Sequence, residues 1–195
     1  MNLPTDLLEK VTSLPNHSII GISGFGGSGK STLANTLSNQ LNCDQICTDS
    51  FMTDVSNHQL SCWNNIDYTR LIDEIIIPFN HKYKTLTYSH FDSNINAISE
   101  KITIKTVNNL MIEGVGLFHP DIMKYLTFAL WVECPLQTAI ARGKQRDRFV
   151  HHNPKDQLWD GVWKNNDLEF FEKFSPDKNA SFIFNNSDDF EKLFG

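Results

Sequence analysis

The stretch GISGFGGSGKSTL, residues 21–33, constrains this chain more than any other. Gly24, Gly26, Gly27 and Gly29 crowd into one short turn. Glycine weakens the interior of helices and strands, so such crowding marks a turn that needs positive φ or close approach of another group to the backbone. The run before it, HSIIGIS over 17–23, is β-branched and of strand length. The run after it, 30–41, puts Leu33, Leu37 and Leu41 at helical spacing. Strand, glycine-rich turn and helix follow one another directly, the opening of a parallel α/β sheet.

The rest of the chain continues that alternation. A short amphipathic helix is expected over 6–13, with Leu7, Leu8 and Val11 on one face, and a second strand over 45–48. Leu71, Ile72, Ile75 and Ile76 predict a helix over 67–79, ending near Pro78. The alternating stretches 85–91 and 101–107 read as a hairpin. The apolar runs 110–112 and 126–132 suit strands buried on both faces. Helices over 135–148 and 157–174 and a last strand over 180–184 complete a three-layer α/β domain. No repeat, low-complexity tract or Pro/Gly/Ser linker divides the 195 residues, so one domain spans 1–195.

Composition narrows the partners. The net charge of -6 disfavours duplex nucleic acid, which calls for a basic face, while leaving room for a local basic pocket around a phosphorylated small molecule. Cys43, Cys47, Cys62 and Cys134 form no C-x-x-C pair and no zinc spacing, and read as reduced, packed thiols. The N-terminal MNLPTDLLEKV carries two acids and no long apolar run, so neither a signal peptide nor a membrane span is expected. A cytoplasmic protein without membrane partners follows, and a homo-oligomer stays open.

Residues 24–31 fit G-x-x-x-x-G-K-[ST] at every specified position. Phosphate oxygens need many donors converging on a small volume. A turn made of Gly24, Phe25, Gly26, Gly27, Ser28 and Gly29 can wrap its N–H groups around them, and the following helix adds the amides of Lys30, Ser31 and Thr32 with the positive end of its dipole. Lys30 can reach the β- and γ-phosphates, and the Ser31 hydroxyl can ligate Mg²⁺. The expected ligand is a nucleoside triphosphate.

Three further elements bear on what happens to it. The second strand runs into CTDSFM, which puts Asp49 at the carboxyl edge of the sheet, placed either to accept a hydroxyl proton or simply to cap a turn. The strand of NNLMIEGVGLF ends in Glu113, either a Mg²⁺-side acid or a solvated strand end. In AIARGKQRDRF, Arg142 and Arg146 lie four apart on one expected helix, either clamping a migrating phosphoryl group or pairing with acids such as Asp147. No N-K-x-D base-reading element occurs; Asn185-Asn186-Ser187-Asp188 lacks the lysine. His151-His152 reads as a solvated segment, Trp159 and Trp163 as one helix's packing face, and His58 and Cys62 as loop residues.

Together GFGGSGKST, TDSF, WNNIDYTRLIDEIIIPF, YSHFD, IEGVGLF and the R-x-x-x-R-D of residues 142–147 resemble the uridine kinase-like branch of P-loop kinases, relatives of phosphoribulokinase and bacterial pantothenate kinase. The resemblance covers nearly the whole chain, including WDGVWKNNDLEFFEKFSPDKNASFIFNN with its paired tryptophans and Glu169. It implies a three-layer P-loop NTPase fold with a mostly parallel five-stranded sheet, a β-hairpin insertion near 85–107 and an arginine-bearing lid near 142–160. It further implies an ATP- and Mg²⁺-dependent kinase acting on a hydroxyl of a small molecule, first among them a nucleoside, with pantothenate or a sugar as alternatives. Asp49 is then the base, Glu113 the Mg²⁺-side acid, and Arg142 and Arg146 the clamp. Tyr88, His90, Phe91 and Asp92 become acceptor-pocket candidates, against the plainer reading of hairpin packing. An ATP-binding regulator without phosphotransfer is the other class of reading.

Overall fold

The computed structural model describes residues 3–54, 56, 61–106 and 108–187. In chain order its elements are α1 (Thr5–Thr12), β1 (Ile19–Gly24), α2 (Lys30–Leu41), β2 (Asp44–Cys47), a 3₁₀ turn (Thr48–Phe51), α3 (Tyr68–Leu71), a π-helical turn (Ile72–Ile76) and α4 (Ile77–Asn80). There follow β3 (Thr85–Asp92), β4 (Ala97–Lys105), β5 (Leu110–Glu113), α5 (Pro120–Met123), β6 (Phe128–Glu133), α6 (Leu136–Phe149), α7 (Asp156–Asp160), α8 (Val162–Phe174) and β7 (Phe182–Asn185).

Five strands form one sheet in the order β2-β5-β1-β6-β7, all parallel, and β3 and β4 pair antiparallel beside it. β1 is central, and every one of its residues is buried. Alternate residues of the sheet serve opposite layers. Ile20, Ile22, Met111 and Leu130 pack under Leu7, Val11, Leu33 and Leu37 of α1 and α2. Ile19, Leu110, Ile112 and Trp131 pack instead against Leu71, Ile75, Ile76 and Phe79, the hairpin's Leu86 and Tyr88, and Phe51. Because the strands are parallel, their carboxyl ends share one edge. There the register sets Glu113 opposite Ile22 of β1 on one side and Cys47 of β2 on the other.

Four departures from the sequence expectation have a local reason. β2 ends at Cys47, and the 3₁₀ turn that follows lifts Asp49 out of the strand line. The expected 67–79 helix contains a π turn ahead of Pro78, whose ring has no N–H to donate and clashes with the carbonyl four residues back, so the preceding turn opens. β4 starts at Ala97 rather than 101, because residues 97–101 are exposed and carry no burial pattern to read; Val107, the expected end of that strand, lies outside the described residues, as does His58. The expected 157–174 helix breaks at Gly161 (φ -112, ψ -109) into α7 and α8, so Trp159 and Trp163 sit on different helices rather than on one face.

Candidate active site

The turn after β1 has the curvature that its glycines allow. Gly27 and Gly29 hold φ of +80 and +100, the left-handed region that side chains with a Cβ avoid. A Cβ on Gly27 would also run into the Ala139 carbonyl of α6, so this loop lies directly against the backbone of another helix. Gly29 is the N-cap of α2, and no side chain caps that helix, which leaves its first amides at the turn. Lys30 is buried, and its Nζ donates to the Phe25 carbonyl at 2.9 Å, folding back over the loop. The Phe25 ring turns inward, edge-on to Trp131 and tilted on Phe171, so only its backbone belongs to the cradle.

Beside this cradle the two predicted acids meet. Ser31 Oγ, on the first turn of α2, donates to Glu113 Oε1 at 2.9 Å. Glu113 is buried, and burial raises its pKa, against the pull of Lys30 and with the added push of Asp49. Asp49 opens onto the cavity but is crowded by protein on its other sides. That desolvation raises its pKa, while Lys30 and Arg146 pull it back down. The Cys47 thiol lines the same cavity as the two acids; desolvation and the neighbouring carboxylates push its pKa far above an ordinary thiol, so it is neutral here. A serine hydroxyl against a recessed carboxylate is an oxygen-ligand pair that suits Mg²⁺, with phosphate oxygens and water completing the shell.

These groups line one cavity of about 500 Å³, together with Gly26, Gly27, Lys30 and Arg146. Its far wall is the hairpin end, His90 to Asn94, with Trp63, Asn65 and Trp163 alongside. His90 is oriented by a 3.0 Å contact between its Nδ1 and Ser50 Oγ, and Asp92 accepts the Asn94 amide at 2.8 Å in the hairpin turn.

Arg146 reaches the cavity from α6 under tight control. Its Nε and Nη2 donate to Asp147 Oδ1 at 3.1 and 2.9 Å, Asp147 Oδ2 accepts Trp159 Nε1 at 2.8 Å, and the guanidinium lies 5.8 Å from the centre of the Trp159 ring. Trp159 in turn wedges between the cradle and α6, filling the space that side chains on Gly26 and Gly143 would take, and it meets Trp163 edge-on at 4.9 Å.

Two predicted site residues lie elsewhere. Arg142 does not line the cavity with Arg146; its Nη1 donates to Asn186 O at 2.9 Å beyond β7, and Asn186 Nδ2 donates to Ser28 O at 2.7 Å. Four residues along a helix is an advance of more than one full turn, and here the two guanidinium groups diverge at their tips. Tyr88 is in the core, 7% exposed and stacked on Phe51 at 5.4 Å, because the alternation that buries Leu86 buries Tyr88 as well; the register shift between Ser89 and Phe91 then breaks that alternation, so His90 and Asp92 face the cavity edge. Phe91, almost fully buried, reaches that edge past the register shift between Ser89 and Phe91.

Three other residues belong to the site, although nothing in the sequence singled them out within the stretches that contain them. Asp167 of α8 accepts the Gly26 amide at 2.8 Å and Trp63 Nε1 at 2.9 Å. Trp63 forms part of the cavity wall. Arg70 of α3 donates through Nη2 to Ser50 O at 2.8 Å and Ser89 O at 2.7 Å, tying the turn that carries Asp49 to the hairpin. All three contacts join segments far apart in the chain, so no spacing rule could have found them.

No family model matches the sequence. Among solved structures the chain is similar to one described as a possible uridine kinase from Bacillus stearothermophilus, at 20% identity and a TM-score of 0.68 over 92% of this chain and 95% of that one. A proposed fructose transport system kinase from a Silicibacter species matches equally well, at 20% identity and 0.68 over 91% and 95%. D-glycerate 3-kinase from Cryptococcus neoformans follows at 10% identity and 0.62 over 93% and 92%. The chain therefore shares the fold of these solved structures, with a five-stranded parallel sheet and a small hairpin.

Proposed function

We propose that this chain is a kinase that uses ATP and Mg²⁺ to phosphorylate a hydroxyl of a small molecule. The observation that carries the reading is the convergence of Lys30, Ser31, Asp49, Glu113 and Arg146 on one cavity that continues to the hairpin. A regulator that only bound nucleotide would need neither a carboxylate beside the phosphate cradle nor a pocket beyond it.

In this reading the amides of the turn and of α2 bind the phosphates, and Lys30 leaves the Phe25 carbonyl to neutralise them. Ser31 and Glu113 would hold Mg²⁺, which when bound supplies charge neutralisation on the phosphate oxygens. Asp49 accepts the proton of the attacking hydroxyl, and its raised pKa makes it a stronger base than an ordinary carboxylate. Arg146, held on target by Asp147 and Trp159, supports the charge on the migrating group. Orientation and electrostatics carry most of the rate in such a transfer.

A nucleoside is the first acceptor proposed. Trp63 and Trp163 offer flat apolar surface for a base, and His90, Asp92 and Asn65 offer hydrogen bonds to hydroxyls. One observation favours a smaller, non-aromatic acceptor: Tyr88 is withdrawn into the core, which removes half of the aromatic pair expected on the hairpin. A coupled ADP-release screen over nucleosides, sugars, hydroxy acids and pantothenate decides between them, with Asp49→Asn as the blank. Lys30→Ala should abolish turnover and weaken ATP binding. Full activity in that variant, or no acceptor-dependent ADP release from the intact protein, would sink the proposal.

A further inference from the structure

The site contains one buried carboxylate that the proposed transfer does not use. Asp167 is 6% exposed, and both of its oxygens are engaged by donors from other segments, the Gly26 amide in the phosphate cradle and the Trp63 indole in the cavity wall. Its neighbour Asn166, fully buried, accepts the Trp63 backbone amide at 2.8 Å through Oδ1 and donates from Nδ2 to Val162 O at 2.8 Å. Trp63 is therefore gripped at backbone and side chain by consecutive residues of α8.

The grip meets a strained segment. Cys62 and Trp63 hold φ of 52 and 55, two consecutive non-glycine residues in the left-handed region. Such backbone persists where its surroundings over-determine it, and it concentrates at functional sites. Gly26, at the other end of Asp167, contributes to the same cavity as Trp63. Burial raises the pKa of Asp167 to about 6, although Lys30 and the two hydrogen bonds act to lower it.

We propose that Asp167 is a positioning residue that couples the phosphate cradle to the acceptor wall, holding Gly26 with one oxygen and Trp63 with the other. The inference rests on the kinase reading for the identity of the two half-sites. Occupancy of the cradle near the Gly26 amide competes with Asp167 for that donor, and any shift of Asp167 is passed to Trp63. Asparagine cannot replace it: its one oxygen satisfies one donor, and its amide group confronts the other.

The test is a double-mutant cycle on the dissociation constant for Mg·ATP, measured calorimetrically on the full chain with Trp63→Phe, Asp167→Asn and the double variant. Trp63→Phe keeps an aromatic ring and removes the indole donor. The expected result is a change of about threefold or more on Trp63→Phe in the native background and almost none in the Asp167→Asn background. Effects that multiply independently would overturn the proposal, because Trp63 would then act on the nucleotide without Asp167. A lowered melting temperature with no coupling would show a purely structural role and overturn it equally. Should Asp167→Asn fail to fold, Trp63→Phe alone decides: an unchanged dissociation constant refutes the coupling. Failure of the native protein to bind Mg·ATP would instead refute the nucleotide reading beneath it.

Discussion

Replacing Gly143 with alanine tests whether the packing of Trp159 sets the position of Arg146. Gly143 lies inside α6, where alanine is the better helix former by about 1 kcal/mol, so propensity alone predicts a more stable protein. The structure predicts the reverse. A Cβ at that position would sit 2.8 Å from Trp159 Cε2 and nearer still to two other ring carbons, so the indole must retreat by roughly 1 Å to reach ordinary contact distance. The ring has little room: it is buried, touches the space over Gly26 and abuts Trp163. Overpacking of this kind costs about 1–3 kcal/mol. Stretching or losing the Trp159 bond to Asp147 adds about 1.5–3 kcal/mol, since the acceptor is charged. After the helix-propensity gain the net loss is about 1.5–5 kcal/mol, which for a domain of this size lowers Tm by roughly 3–20 °C. Asp147 is also the anchor of Arg146, and a misplacement on the order of 1 Å at the phosphoryl group lowers kcat by about 10²-fold. Calorimetry and steady-state kinetics read the two effects. An alanine variant with raised Tm and native kcat would refute the chain of contacts from Gly143 through Trp159 to Arg146.

Further outcomes follow from the same geometry. Asp49→Asn should leave ATP affinity nearly intact and lower kcat by about 10²-fold or more; unchanged turnover would make Asp49 structural. If Asp49 is the proposed base it must be ionised to act, and desolvation raises its pKa against the pull of Lys30 and Arg146, so kcat should be full above that pKa and fall as pH drops through it. The acid limb should thus lie above the ordinary aspartate range, and a limb at or below that range would contradict the assignment. Arg146→Ala should lower kcat more than it raises the KM for ATP, while a pure KM effect would make Arg146 a ground-state anchor. Tyr88→Phe should leave the acceptor KM unchanged, because Tyr88 lies in the core against Phe51 and not in the cavity; a raised KM would return Tyr88 to the pocket.

What the amino-acid sequence determined by itself were the features with a local or periodic cause. The cradle is legible because positive φ at Gly27 and Gly29 demands glycine and because strand, turn and helix are contiguous. The buried strands are legible because continuous apolar runs suit a sheet covered on both faces. Glu113 and Asp49 are placed at one edge as soon as the strands are taken as parallel. Only the tertiary structure decided where long side chains end. Arg142 and Arg146 share a helix yet reach opposite neighbours, because Asn186 and Asp147 capture their tips. Tyr88 and His90 belong to one strand and are separated by burial. Asp167 meets Gly26 across most of the chain, with no spacing that could announce it. Backbone conformation and burial pattern are written in neighbouring residues, whereas the partner of a charged tip depends on how distant elements pack.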